Sequence, residues 1–334
     1  MAETTYAPAM RPMSPPDIPP PSSPTALDHA AEARAGMAAA IGAAIVYGAA
    51  YPATAVALRS FSPLAVAGLS CTLALVVVIG LAAAGVLPRA QLAGLTFARG
   101  WRLGTLALLG GLLFIVGVNI AVAVSGPTIT GFVSPLYAVL ATLFAVPLLG
   151  ERIRASTLVA FALALAGTAM LAGTVPLGAA SAGVVIALGS AGMFGLYVVL
   201  ARRWGTTYRL DGTLITIANL IGRGPVLLAA ATIVDPGPVV PAVPDPAAVI
   251  ALLTIAFGSS MAGNLLLMAS VRRIPAARTS AALLLTPVAS AIMAAIVLGD
   301  RLSPAGVAGG SLIVAGMAVA SGVLGRRRRH AGLA

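Results

Sequence analysis

Residues 36–58 read GMAAAIGAAIVYGAAYPATAVAL, and residues 183–201 read GVVIALGSAGMFGLYVVLA. Neither stretch contains a charged side chain, and each is close to the roughly 20 residues that a helix needs to cross the hydrocarbon core of a bilayer. The same glycine spacing occurs in both stretches at a constant offset of 147, as Gly36, Gly42 and Gly48 and as Gly183, Gly189 and Gly195. The pattern predicts one kind of lipid-soluble helix, present twice.

Apolar runs of this kind recur along almost the whole chain. Apolar residues make up 59% of the sequence and charged residues only 9%, with a mean hydropathy of +1.02. A soluble domain carries about 25% charged residues, so the bilayer is the expected solvent. The predicted spans lie near residues 36–58, 63–86, 103–124, 127–149, 154–173, 182–201, 212–234, 247–269, 276–298 and 304–324.

The arginines indicate how these spans are oriented. The chain contains no lysine, and arginines in the connections concentrate on one side of the membrane if the spans alternate in direction. The positive-inside rule makes that side cytoplasmic and places both termini there. Only Arg59 and Arg301 then face outward. The expected location is the cell membrane, inner or plasma, with multiple crossings.

A second repeated motif sets the organisation of the chain. Gly150-Glu151-Arg152 matches Gly299-Asp300-Arg301 at an offset of 149. Because each half contains five spans, the second copy enters the membrane from the opposite side. The expected fold is an all-α membrane protein of ten transmembrane helices, arranged as two inverted five-helix repeats of the kind found in many secondary transporters.

The same reasoning predicts where each part of the chain begins and ends. The expected parts are a Pro- and Ser-rich disordered cytoplasmic tail at residues 1–35, a first repeat at 36–173, a linker at 174–181, a second repeat at 182–324 and a basic cytoplasmic tail at 325–334.

Composition also narrows the classes of function. The single cysteine, Cys71, has no partner in the chain, and the two histidines, His29 and His330, lie in the tails. We therefore expect no metal site, no cofactor and no enzyme. Arginine placement follows membrane topology, so no nucleic-acid partner is expected. The run Arg326 to Arg329 suits anionic membrane lipid, and the chain can be a monomer or a homodimer.

Several short motifs, in this order, resemble those of a known family. They are Tyr47-Gly48, Ser62-Pro63, Ser125-Gly126-Pro127, Ser134-Pro135-Leu136-Tyr137, Leu284-Leu285-Thr286-Pro287-Val288 and the two Gly-acid-Arg triplets. Together they are similar to EamA-like transporters of the drug/metabolite transporter superfamily, from residue 36 to about 324.

This resemblance implies a central cavity that opens alternately to each side of the membrane. It further implies export or exchange of amino acids, related metabolites or drugs. The chain departs from the family at one place. Members often carry an arginine in the second span, seven residues after the proline of the Ser-Pro opening, where this sequence has Ser70.

The polar residues within the predicted spans are the candidate substrate-binding residues. Arg223 lies near mid-span, where a charge costs at least about 2.5–3.5 kcal/mol and usually faces a wet cavity or a partner. It can hold a carboxylate or phosphate, or it can be a structural arginine bonded to carbonyls freed around Pro225. Asn219 lies one turn before it, and Asn119 and Asn264 occupy equivalent spans of the two halves. Each amide can line the substrate path or form an interhelical hydrogen bond.

Two prolines inside spans mark candidate hinges. Pro135 and Pro287 each remove a backbone hydrogen bond and bend their helix, although a static kink is equally compatible. Tyr137 and Thr286 flank them as possible polar contacts.

These features together favour a secondary transporter that exports or exchanges a small metabolite, amino-acid-like or carboxylate-bearing, by alternating access. The alternative within transport is efflux of apolar or cationic drugs. The alternative from another class is a non-transporting membrane scaffold or a lipid-modifying protein.

Overall fold

A computed structural model describes residues 26–84, 97–150, 155–172, 179–208, 212–235, 237–274, 279, 282–283, 285–301 and 303–320. These described residues form helices and connecting turns, with no strand among them. The helices, numbered here in chain order, are α1 (Ala26–Ala57), α2 (Pro63–Ala83), α3 (Phe97–Leu106, Ala107–Leu113 and Phe114–Ser125), α4 (Pro127–Val133, Ser134–Leu136 and Tyr137–Leu149), α5 (Ala155–Ala172), α6 (Ala179–Tyr208), α7 (Gly212–Val234), α8 (Pro246–Leu253, Thr254–Gly263 and Asn264–Arg273), α9 (Leu285–Leu298) and α10 (Pro304–Ala320).

Seven of these helices, α1 to α4 and α6 to α8, contain stretches long and apolar enough to cross a membrane. Shorter apolar stretches of α5, α9 and α10 cover Leu158–Leu171, Leu285–Leu298 and Pro304–Val319. Helix α7 has the predicted bounds, residues 212–234. The chain is therefore a multi-pass membrane protein, as its composition predicts.

The start of the first helix differs from the prediction. Helix α1 begins at Ala26, so the described residues 26–35 are helical and not part of a disordered tail. Their sequence, ALDHAAEARA, is rich in alanine and other strong helix formers, which extend a helix beyond the apolar segment. Most of the two predicted tails, residues 1–25 and 321–334, lies outside the described residues, as does most of the predicted linker.

Glycines allow close approach between helices of the two halves. A Cβ added at Gly48 of α1 would lie 2.7 Å from the Thr286 carbonyl oxygen and 2.8 Å from the Ser290 nitrogen of α9. A Cβ at Gly195 of α6 would lie 3.0 Å from the Tyr137 oxygen and 3.0 Å from the Ala141 nitrogen of α4. The second set of contacts repeats the first, and the α4 and α9 partners are again offset by 149.

Helices α5 and α10 show the same reciprocal packing. A Cβ at Gly167 would lie 2.5 Å from the Gly309 oxygen and 3.0 Å from the Ile313 nitrogen. A Cβ at Gly316 would lie 2.8 Å from the Ala160 oxygen and 3.2 Å from the Ala164 nitrogen. Each partner atom has its counterpart 149 residues away. Small residues at such places let helices approach closely where lipid provides no hydrophobic driving force for association.

The helices of one half pack mainly on helices of the other. Helix α1 packs on α8 and α9, and α6 packs on α3 and α4, while α2 pairs with α7 and α5 pairs with α10. Exchanging the two halves leaves this set of pairings unchanged. The core is thus shared between the halves.

Turns at the helix ends follow from individual residues. Gly150 and Gly299, the glycines of the two Gly-acid-Arg triplets, end α4 and α9 in the left-handed region at φ of 69° and 70°, where glycine avoids a Cβ clash.

Two hydrogen bonds connect helix ends of the two halves. Asp300 accepts a hydrogen bond from Thr128 Oγ1 at the start of α4 (2.5 Å). Asp235, after α7, accepts one from the Ser62 hydroxyl before α2. Both bonds join the two halves.

We expect Gly167→Val to destabilise the protein by about 1–3 kcal/mol, because the added atoms press on the α10 backbone and overpack the contact. Gly189→Val is the matched control, since a Cβ at Gly189, which is also within a helix, meets nothing within 4 Å. Thermal unfolding in detergent measures the difference. Equal melting temperatures for the two variants would contradict the close packing of α5 on α10.

Candidate functional site

A cavity of about 670 Å³ lies between helices of both halves. This volume is within the range of small-molecule sites. Described residues that line it come from α1 to α4 and α6 to α10, together with Leu283 just before α9. All six predicted substrate-binding residues, Arg223, Asn219, Asn119, Asn264, Tyr137 and Thr286, are among them, and so is Pro135. Pro287 is buried in α9 and is not a lining residue.

Arg223 is the only charged residue among the described residues that line the cavity. It lies on α7, and a Cβ at Gly111 of α3 would be 3.1 Å from its Cδ. Its Nε is buried and has no hydrogen-bond partner among the described residues. An unpartnered buried donor usually costs about 1–3 kcal/mol, so Arg223 is an energetically costly residue on the wall of the cavity.

Asn219 lies beside Arg223. Its Nδ2 donates to Tyr197 Oη across 3.3 Å, while its Oδ1 is buried and without a partner among the described residues. A Cβ at Gly111 would lie 3.3 Å from this Oδ1. Because Gly111 has no side chain, there is space beside it for both the Asn219 amide and the Arg223 side chain.

The other two asparagines are engaged within the protein. Asn119 Nδ2 donates to the Pro63 carbonyl oxygen at 3.0 Å, which ties α3 to the start of α2. Asn264 Oδ1 accepts from Tyr47 Oη at 3.0 Å, and its Nδ2 donates to the Ser260 carbonyl oxygen at 2.9 Å. Both amides thus form interhelical hydrogen bonds, one of the two roles considered for them from the sequence. Both also line the cavity.

Irregular backbone surrounds the cavity in both halves. Pro135 lies in a 3₁₀ turn, Ser134–Leu136, within α4. Helices α3 and α8 contain π-helical stretches at Ala107–Leu113 and Thr254–Gly263, and each contributes lining residues. Such stretches occur often at functional sites. The sequence pattern did not predict them.

An aromatic wall forms one side of the cavity, and we define it as Phe114, Tyr137, Phe194 and Tyr197. The Phe194 ring is central, with centroid distances of 4.4 Å to Phe114, 4.7 Å to Tyr137 and 5.1 Å to Tyr197. The predicted site included only Tyr137 of these four. The repeat carried a usable signal, because Phe194 and the lining residue Tyr47 each precede a matched glycine at the offset of 147.

Ser70 also lines the cavity. The position where related transporters often carry an arginine therefore faces the same space as Arg223. Its hydroxyl bonds to the Ala67 carbonyl oxygen of its own helix, at 3.2 Å.

We expect Ser260→Cys to react with a hydrophilic thiol reagent in proteoliposomes, because Ser260 lines the cavity. The background is Cys71→Ala, which removes the only native thiol. Ile296→Cys is the matched control, since Ile296 is 73% exposed but does not line the cavity. Mass spectrometry measures the modified fraction. Equal labelling at both positions would contradict a water-accessible cavity at Ser260.

Comparison with known proteins agrees with this architecture. The model of the EamA-like transporter family matches residues 34–173 and matches again at residues 181–322. No curated protein matches the chain. A solved structure, described only as a crystal structure of a protein, has a TM-score of 0.63 and 20% identity. The alignment covers 88% of this chain and 98% of that one, which shows a shared fold. The two family matches cover most of the sequence, and the chain belongs to the EamA-like transporter family, whose members are membrane transporters of the drug/metabolite transporter superfamily.

Proposed function

We propose that this protein is a secondary transporter that exports or exchanges a small metabolite, amino-acid-like or carboxylate-bearing, by alternating access. The observation that carries the proposal is the cavity between the halves, lined by Arg223 with its buried, unpartnered Nε. A charge at this depth in a membrane protein is expensive unless it has a function. Membership of the family supports transport activity, and the cavity is the proposed binding site for the solute.

The repeated contacts support ten crossings in two inverted halves. Glycine contacts in α1 and α6, and in α5 and α10, recur with partners offset by 149. We propose that the three shorter apolar helices, α5, α9 and α10, also cross the bilayer. Rocking of the two halves would then expose the cavity to each side in turn, with Pro135 and Pro287 as hinges.

Contacts between helix ends support the alternating topology. The Thr128–Asp300 and Ser62–Asp235 bonds join ends predicted to lie outside the cytoplasm. Arg203 Nη1 donates to the Leu148 carbonyl oxygen at 3.0 Å, and both lie at ends predicted to be cytoplasmic. We propose that the protein lies in the cell membrane with both termini in the cytoplasm.

Efflux of apolar or cationic drugs is the second candidate function. The aromatic wall favours it, because aromatic rings bind flat apolar molecules and cations. Arg223 disfavours a cationic solute, since the two positive charges would share one cavity. Movement of dyes and movement of acids therefore distinguish the two candidates.

We expect Arg301→Cys, in the Cys71→Ala background, to react with a membrane-impermeant thiol reagent in intact cells. Arg202→Cys is the counterpart at a helix end predicted to be cytoplasmic, and it should react only after the membrane is permeabilised. Both side chains are exposed, so access to the reagent depends on the side of the membrane. Labelling of Arg202→Cys in intact cells would contradict the proposed orientation.

We expect purified protein in sealed vesicles to show saturable flux of acidic or zwitterionic solutes, and Arg223→Ala to reduce it about tenfold or more. Loss of a charge-assisted hydrogen bond of about 1.5–3 kcal/mol is the physical reason. Arg59→Ala is the matched control, because Arg59 is exposed in a turn after α1. Gel filtration checks that both variants fold.

Unchanged flux of cationic dyes in Arg223→Ala, without flux of acids in the wild type, would favour drug efflux. Altered lipid chemistry without flux of any solute would exclude the transporter proposal.

A further inference from the structure

We propose that the solute is an organic acid of net negative charge with an apolar, ring-sized body, and that the site prefers it to zwitterionic amino acids. The inference rests on the proposed transport function and narrows it to one of its two solute classes. The carboxylate binds at Arg223, and the body packs on the aromatic wall.

The first observation is the balance of charge in the cavity. Among the described residues that line it, Arg223 supplies a positive charge and no aspartate or glutamate opposes it. The described acidic side chains are Glu32, Asp235, Asp245 and Asp300. None of them lines the cavity, and the three aspartates lie in turns at helix ends, where they accept hydrogen bonds from Ser62, the Ala247 nitrogen and Thr128.

This balance distinguishes an acid from an amino acid. A carboxylate neutralises Arg223, whereas the ammonium group of an amino acid finds no counter-charge among the described lining residues. The α-ammonium also lies close to its own carboxylate, and therefore close to the guanidinium. Repulsion between the two positive charges disfavours an ammonium group beside the guanidinium, and a charge removed from bulk water without a partner is costly.

The second observation is the way Arg223 is held. Its stem packs at Gly111, and its Nε is buried. Because Arg223 lines the cavity while its Nε is buried, we infer that a solute meets the terminal nitrogens of the guanidinium. Two parallel N–H donors match the two oxygens of a carboxylate.

The third observation is the continuity from the guanidinium to the aromatic wall. Asn219 connects to Tyr197 by a hydrogen bond, and Tyr197 continues through Phe194 to Phe114 and Tyr137. Gly110, next to Gly111, is in close contact with the Tyr197 ring. A molecule whose carboxylate is at Arg223 can therefore place an aromatic or branched apolar body along this wall.

The test uses three compounds that share a phenyl ring and differ in charge: 3-phenylpropanoate, phenylalanine and 2-phenylethylamine. Each is preloaded into proteoliposomes of the full chain at neutral pH, and uptake of the labelled compound is measured against protein-free vesicles. We expect saturable exchange of the acid, with a half-saturation concentration about tenfold or more below that of phenylalanine, and no exchange of the amine.

Variants test whether Arg223 causes this selectivity. Arg223→Gln should abolish the preference for the acid, whereas Arg223→Lys, which keeps the charge but loses the paired donors, should retain part of it. Arg59→Gln is the control at an exposed arginine and should leave the preference unchanged. Thermal unfolding with and without 3-phenylpropanoate provides a binding measurement: the acid should stabilise the wild type and not Arg223→Gln.

The outcomes separate the solute class from the function. Exchange of phenylalanine equal to or better than that of the acid would overturn the anion inference and leave the transporter proposal standing. Exchange of the amine alone would overturn the anion inference, indicate a cationic solute and leave the transporter proposal standing. If the acid neither exchanges nor stabilises the protein, the anion inference fails, and failure of a broad solute panel in the same vesicles would also end the transporter proposal.

Discussion

Close backbone contact at glycines is the constraint on which the rest of this structure depends. Lipid tails are as apolar as the helices, so burying apolar side chains provides little net attraction between helices in a membrane. Packing of one backbone against another provides it here, at Gly48, Gly195, Gly167 and Gly316. Along the same two helices, α1 and α6, aromatic side chains line the cavity: Tyr47, Tyr51, Phe194 and Tyr197. The positions of small and large residues thus define both the contacts and the space between them.

The described lining of the cavity combines one charged side chain, Arg223, with neutral polar groups and aromatic rings. Two of its asparagines, Asn119 and Asn264, form hydrogen bonds to other helices within the protein. Asn219 and Arg223 retain buried atoms without partners among the described residues. The first pair is therefore structural, and the second pair is the one proposed to bind a solute. The sequence does not distinguish the two pairs, because all four are polar residues within apolar spans.

Much of the fold and part of the site could be predicted from the sequence. Helix α7 has its predicted bounds because Gly212 begins it and the polar residue Asp235 follows it. Residues 26–35 were mispredicted because helix propensity, and not only hydropathy, determines where a helix starts. The six predicted polar residues line one cavity because polar groups in oil must face one another or water. The aromatic wall was mostly missed, since Phe and Tyr are equally suited to lipid. The π-helical stretches have no sequence signal that hydropathy detects.

The exchange of packing partners between the halves affects how the chain is made. Helices α1, α2 and α5 find their most extensive contacts on α8, α7 and α10 of the second half. During synthesis, the helices of the first half are therefore made before their partners in the second half exist. They remain loosely associated until the ribosome has delivered the rest. Membrane insertion and tertiary assembly are consequently two separate events for this protein, and the earliest helices depend longest on the surrounding lipid and on the insertion machinery.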